Sequence, residues 1–293
     1  MRNIISEHLP DFSFPSKGTI YDYRYNAEEN CFTHWEKSNK ADIDPSLQYS
    51  EIVIPTSESN RSIYFLKMLI TNQKHALSCG PAGIGKSSNI RQLLLSELGE
   101  EYQYISLPFT AQTNVKRVKE TIMSKLEMIR GRSFGPKQGK KCVMFVDDMN
   151  MPKRDCYGSR LPCELVRQVI DNKQIYRNDN EAYHLSGITV LSAMETSRGL
   201  APVSDRLVRH FNVMTDTAFS KETMSAIFTQ LLAHFHKGFS PSVVNIHSQM
   251  VEAGISVYEQ TKLRLTPSNS NPHYDFHFRD IWKVFKGISS ASS

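Results

Sequence analysis

Between positions 60 and 216 the chain alternates short apolar runs with stretches in which apolar residues recur every three or four positions. Ile63, Leu66, Leu69 and Ile70 mark one face of a helix over 60–72, and His75-Ala76-Leu77-Ser78-Cys79 then has strand character. Ile90, Leu93, Leu94 and Leu98 return to helical spacing, and 102–107 reads as a strand. Val115, Val118, Ile122, Leu126 and Ile129 trace an amphipathic helix that breaks at Gly131. Lys140-Lys141-Cys142-Val143-Met144-Phe145-Val146-Asp147 is a buried-strand pattern ending in an acid. A helix follows over 162–171, with Pro162 in its first turn and Leu165, Val166, Val169 and Ile170 inward. Residues 188–193 form a further apolar strand, and 212–214 a candidate fifth.

Strands alternating with helices predict an α/β fold with a doubly wound parallel sheet. Beyond about Ser220 the pattern becomes wholly helical: Met224, Ile227, Phe228 and Leu231, then 243–258, then 278–285. Three parts follow. Residues 1–59, rich in aromatics, Asn, Ser and Pro without sustained helical period, read as a connecting segment. Residues 60–216 form the large α/β subdomain, and 217–293 a small helical one.

Composition narrows the classes. A chain of 293 residues can build two domains. Its net charge of +5 is mildly basic but scattered, so no nucleic-acid partner is expected. The five cysteines form no C-x-x-C pair, which fits reduced thiols in a cytosolic setting. His234-Phe235-His236 lacks zinc-like spacing, and no histidine-based metal site is expected. The first ten residues carry charge and proline without an apolar leader core, and no apolar run approaches bilayer length. Neither secretion nor a membrane is expected.

Three elements carry chemistry. Gly80, Pro81, Ala82, Gly83, Ile84, Gly85, Lys86 and Ser87 fill G-x-x-x-x-G-K-[ST] between a strand and a helix, with Ser88 continuing into the helix. Glycines let backbone N–H groups turn inward around a polyphosphate. Lys86 reaches the β- and γ-phosphates, and Ser87 can ligate Mg²⁺. Val143-Met144-Phe145-Val146-Asp147-Asp148 follows in the order expected of a Walker B strand, whose carboxylates emerge at the C-terminal edge of the sheet. Asp147 would hold Mg²⁺, and Asp148 would orient or deprotonate an attacking water. The third element is basic: Arg206 and Arg209 in Asp205-Arg206-Leu207-Val208-Arg209-His210-Phe211, and Arg279 in Phe276-His277-Phe278-Arg279-Asp280. Such arginines either stabilise the charge that spreads over a γ-phosphate during transfer or form ordinary surface ion pairs.

Several of these runs together resemble the third AAA+ module of an axonemal dynein heavy chain. They are Gly80 to Ser87, Phe109-Thr110-Ala111-Gln112-Thr113, Ile122-Met123-Ser124-Lys125-Leu126, Phe134-Gly135-Pro136, Gly139-Lys140-Lys141, Phe145-Val146-Asp147-Asp148-Met149-Asn150-Met151-Pro152, Tyr157-Gly158, and Arg206 with Arg209-His210-Phe211. The resemblance covers nearly the whole chain, since Gly18 to Tyr23 with Trp35 and Ile54-Pro55-Thr56 resemble the entering segment, and Phe278-Arg279-Asp280 with Gly287 the helical lid. It implies ATP and Mg²⁺ between a large α/β and a small helical subdomain, within a six-module ring. By that resemblance Arg279 is the lid's sensor arginine, and Arg206, with Arg209 second, faces a neighbouring module's nucleotide as an arginine finger. The implied partners are the other modules of the ring. Intermediate and light chains and microtubules are implied only through a full heavy chain, in the cytoplasm, cytoskeleton and ciliary axoneme.

Two departures bear on turnover. AAA+ proteins commonly place Asn at the end of the fourth strand, whereas here Ala193-Met194 is followed by Glu195. A carboxylate there repels a γ-phosphate unless Glu195 turns away or pairs with Arg198. The second Walker B acid is Asp148, a methylene shorter than the more frequent Glu. Binding is expected to be intact and hydrolysis slow or lost. The chain also lacks the further P-loops and heptads of a motor, so it reads as part of a heavy chain. The alternatives are a standalone, non-catalytic nucleotide-binding interaction protein or a homohexameric AAA+ ATPase, the latter opposed by the dynein-like run through Pro152.

Overall fold

A computed structural model describes residues 15, 18–26, 29–35, 49, 52–137, 139–176, 181–196, 203–237 and 239–290. In chain order its elements are β1 (Tyr23–Asn26), β2 (Cys31–His34), α1 (Ser57–Thr71), β3 (Ala76–Gly80), α2 (Lys86–Gln92), β4 (Tyr102–Pro108), α3 (Val115–Lys125), β5 (Glu127–Arg130), β6 (Ser133–Gly135) and β7 (Lys141–Asp147). Then come α4 (Leu161–Asp171), β8 (Gln174–Tyr176), β9 (Ala182–Leu185), β10 (Ile188–Glu195), α5 (Asp205–Val208), β11 (Asn212–Thr215), α6 (Lys221–Phe235), α7 (Pro241–Arg264) and α8 (Phe278–Ser289).

The apolar runs without polar alternation become the centre of a five-stranded parallel sheet in the order β11-β3-β10-β7-β4. Side chains of a strand alternate between faces, and here both faces are covered. Cys142, Met144 and Val146 of β7 join a core with Val118 and Ile122 of α3 and Leu165, Val166 and Val169 of α4. Val143 and Phe145 point the other way, into a core with Ile63, Leu66 and Ile70 of α1 and Ile90 of α2. The doubly wound α/β architecture follows from that two-sided burial.

α1 begins at Ser57, earlier than apolar spacing indicates, because Thr56 and Ser59 cap it reciprocally: Ser59 N–H donates to Thr56 Oγ1 at 3.1 Å and Thr56 N–H to Ser59 Oγ at 2.8 Å. A larger difference lies after α3. The helix expected to run through Ile129 stops at Lys125, and Glu127–Arg130 pairs antiparallel with β6 around Gly131, whose φ is +56°. Ile129 is exposed there beside Met128, so its helical spacing is incidental. This hairpin joins β9 and β8 in a second, mixed sheet, β5-β6-β9-β8.

α6, α7 and α8 form a separate core around Phe228, which stacks on Phe285 with ring centroids 4.0 Å apart. Gly254 of α7 permits that packing, since a Cβ there would sit 3.0 Å from Phe285 Cζ. Ile52 and Ile54 are buried in this same helical core, and the Tyr49 hydroxyl donates to the Trp282 carbonyl at 3.0 Å. The segment ahead of α1 is thereby tied to the last helix of the chain. Upstream, the β1–β2 hairpin leads to Trp35, buried beside Tyr64 and Phe65 of α1.

Candidate functional site

β3 ends at Gly80, and the chain turns through Gly83 (φ +79°) and Gly85 (φ +88°) before α2 starts at Lys86. Those left-handed values are freely open only to glycine. A Cβ on Gly83 would stand 3.4 Å from Arg279 Cγ and 3.5 Å from the Arg279 backbone nitrogen. Glycine there lets the first turn of α8 approach the loop closely. The result is a cavity of about 450 Å³ whose walls include the loop, Asp148, Glu195, Arg279 and Ile54.

The Lys86 ammonium donates to the carbonyls of Gly80 at 2.9 Å and Pro81 at 2.5 Å. Partial burial holds its pKa below the ordinary lysine value, and the nearby Glu195, Asp216 and Asp148 carboxylates oppose that shift. β7 brings the paired acids to the same edge of the sheet. Ser87 Oγ donates to Asp147 Oδ1 at 2.6 Å, and Arg91 to Asp147 Oδ2 at 3.0 Å. Asp148 adopts φ +54° and opens onto the cavity. Desolvation, followed by repulsion from Asp147 and Glu195, raises its pKa above the usual carboxylate value, while Lys86 and Arg279 pull it back.

Three contributors were not anticipated from sequence. Arg91 lies one helical turn beyond Ser87 and so faces Asp147, a relation readable from i,i+4 spacing. Asp216, just past β11, accepts from Ser62 Oγ and Ser78 Oγ, each at 2.7 Å, and its backbone N–H donates to the Cys79 carbonyl at 2.8 Å. It anchors α1 and β11 against the strand that carries the loop. Asn150 is buried, and its Nδ2 donates to the Glu195 carbonyl at 2.7 Å. That bond holds the end of β10, where Glu195 is in register with Gly80. Arg198, the partner that sequence offers Glu195, lies outside the described residues.

The basic cluster is not brought to this cavity. Arg206, on α5, lines a second cavity of about 520 Å³ with Arg154, Tyr157, Arg160 and Glu164. Arg209 reaches Asp171 at 3.9 Å and donates to His210 Nε2 at 3.4 Å. Of the four groups expected to act on a transferred phosphoryl, Asp148 and Arg279 share the loop's cavity and Arg206 and Arg209 do not.

Chemically, the first cavity suits a polyphosphate carried with a divalent cation. A hydroxyl and a carboxylate lie side by side as hard oxygen donors, the Lys86 ammonium stands at the carbonyls of the loop, and Gly83 and Gly85 put no side chain on its turn. Fold and site together define a P-loop protein of the AAA+ type. Residues 41–219 match the family described as P-loop containing dynein motor region, and the chain belongs to that family.

Full-length relatives agree. The chain is 36% identical over 282 residues to dynein axonemal heavy chain 12 of Mus musculus, an alignment covering 94% of this chain and 9% of that protein. It is 34% identical over 284 residues to dynein axonemal heavy chain 11 of Sus scrofa, covering 96% and 6%, and 32% identical over 282 residues to dynein axonemal heavy chain 3 of Mus musculus, covering 94% and 7%. The chain thus spans less than a tenth of the length of these relatives. Family membership makes it a dynein motor-region module and implies nucleotide binding of the P-loop kind. No helix among the described residues is long and apolar enough to cross a membrane.

Proposed function

We propose that this module binds ATP with Mg²⁺ in the cavity between the loop 80–88, the end of β7 and the first turn of α8. On this reading it serves as the third AAA+ module of an axonemal dynein heavy chain. The observation that carries the reading is the 2.6 Å contact between Ser87 Oγ and Asp147 Oδ1, which unites the two sequence motifs in one pair of oxygen donors beside Lys86. Lys86 would neutralise the β- and γ-phosphate oxygens, and the N–H groups of 83–88 would cradle them. Ser87 and Asp147 would hold Mg²⁺, whose bound charge screens the terminal phosphates. Asp148 would orient water, and Arg279 would report the occupant to the helical lid, because α8 packs in the same core as α6 and α7.

Arg206, with Arg209 second, would face the nucleotide of a neighbouring ring module. The module would influence movement along microtubules in the ciliary axoneme by changing its interfaces when the lid closes. Its partners would be the other modules of the ring, with intermediate and light chains and microtubules engaged only through the whole heavy chain. Titration of a fluorescent ATP analogue in the presence of Mg²⁺ tests the assignment. Saturable binding that Lys86→Ala removes is expected, and equal affinity in the two proteins overturns it.

A further inference from the structure

We infer that Glu195 makes this cavity discriminate against nucleoside triphosphates, so that the site retains a nucleoside diphosphate in preference. The inference rests on the nucleotide reading above and goes beyond it to the specificity of the site.

Glu195 is the last residue of β10, and its Cα is paired with that of Gly80, the first residue of the phosphate-binding loop. Two backbone contacts hold this strand end: Asn150 Nδ2 donates to the Glu195 carbonyl at 2.7 Å, and Thr196 N–H donates to the Gly80 carbonyl at 3.2 Å. Glu195 lines the cavity together with Lys86, Asp148 and Arg279. Among the described residues its carboxylate has no ion pair within 4.0 Å, and the Lys86 ammonium is directed to the carbonyls of Gly80 and Pro81 instead. Its charge nevertheless reaches both Lys86 and Asp148.

The balance of charge decides the preference. Asp147 is satisfied by Ser87 and by Arg91, which leaves Lys86 and Arg279 as the cations of the cavity and Asp148 and Glu195 as its anions, with no charge in excess to attract a further phosphoryl. Two phosphoryl groups can be held by the loop's N–H groups and Lys86. Bound Mg²⁺ would offset part of the phosphate charge in either complex, and a third phosphoryl would still add about one further negative charge in the cavity that Asp148 and Glu195 share. Like charges a few ångströms apart in a partly desolvated site repel strongly enough to cost tenfold or more in affinity. A neutral amide at the end of β10 would leave one acid fewer and a net attraction for the third phosphoryl.

The test compares, on the full chain with Mg²⁺, the affinities of ADP and of a non-hydrolysable ATP analogue by isothermal titration calorimetry. The wild-type chain is expected to bind ADP at least about tenfold more tightly. Glu195→Gln, which keeps shape and removes charge, should raise affinity for the triphosphate analogue about tenfold and leave ADP within about twofold. In the wild type the ratio should also shrink as salt is raised, because charge repulsion is screened. That second measurement needs no variant. A wild-type ratio near one, or a ratio unmoved by both Glu195→Gln and salt, overturns the inference while leaving the nucleotide site standing. Failure of both nucleotides to bind overturns the nucleotide reading itself.

Discussion

The two cavities of this module are built from opposite kinds of surface. The one beside the loop 80–88 draws walls from both subdomains, and in it Lys86 and Arg279 face Asp148 and Glu195. The one beside α5 gathers Arg154, Arg160 and Arg206 around Glu164 and Asp205, with no phosphate-binding loop of its own. The first brings together within one chain the groups proposed to seat a polyphosphate. The second gathers arginines beside the first turns of α4 and α5, an arrangement consistent with the role proposed for Arg206 toward another module's nucleotide. An assay on the isolated chain should therefore be sensitive to changes in the first cavity and blind to changes in the second.

The largest effect belongs to Lys86. Lys86→Ala removes the ammonium and should weaken binding of a fluorescent ATP analogue by at least about a hundredfold, since charge-assisted contacts to phosphate are the strong ones. The same substitution frees the carbonyls of Gly80 and Pro81, so thermal unfolding should be followed in parallel. Loss of binding without loss of the melting transition assigns the effect to the site. Next comes Arg279→Ala, expected to reduce affinity about tenfold. Its side chain lies at the loop, where a Cβ on Gly83 would almost touch it. Unchanged affinity would move Arg279 out of the first cavity's chemistry.

How much of this contrast could be read in advance depends on how local each signal is. β7 was legible because seven consecutive residues carry it, and the loop because its glycines, lysine and serine stand at fixed spacing. The second sheet was not. Leu126 still packs with Val118 and Ile122 of α3, Ile129 continues that period by coincidence, and only pairing of β5 with β6 reveals that Glu127–Arg130 is extended. Ile52 and Ile54 read as part of a connector because their partners, Phe228 and Ile281, lie far along the chain. The same rule divides the site. Ser87 and Asp147 belong to recognisable motifs, whereas Asp216 and Asn150 are single polar residues whose meaning comes from strand register and loop return. Residue type alone does not separate Arg206 from Arg279; the resemblance assigns them different roles, and the fold puts them in different cavities.

A smaller effect sharpens the electrostatics of the first cavity. Asp148 holds φ +54°, a conformation Asn tolerates better than most residues, and its carboxyl titrates above its ordinary value of 3.8. Between 3.8 and that raised value the folded chain binds more protons than the unfolded one. Stability therefore falls as pH rises through that window, and the penalty is fully present above it. Asp148→Asn should remove it. Because the carboxyl is open to solvent through the cavity, screening limits the gain at neutral pH to about 0.5 kcal/mol, or a degree or two in Tm. The gain should vanish in acid. A variant equally stabilised at every pH would show that backbone conformation, not charge, is responsible, while any turnover retained by it would remove Asp148 from the role of orienting water.

The smallest effect is the one that would break the comparison. Arg206→Ala should leave nucleotide affinity of the isolated chain unchanged within about twofold, because Arg206 lines the other cavity and reaches nothing in the first. Arg209→Ala should do the same and lower stability by no more than about 0.5 kcal/mol, the worth of an exposed ion pair such as its 3.9 Å approach to Asp171. Calorimetric titration with ADP and chemical denaturation measure the two quantities on the same samples. If either arginine proved necessary for binding in the isolated chain, the second cavity could not be a surface reserved for a neighbouring module. Its basic groups would then be acting within one chain, through self-association that sizing chromatography at matched concentration would reveal. Independence of the two cavities in a single chain, followed by their coupling once modules stand side by side, is the behaviour expected if Arg206 serves a neighbouring module as proposed.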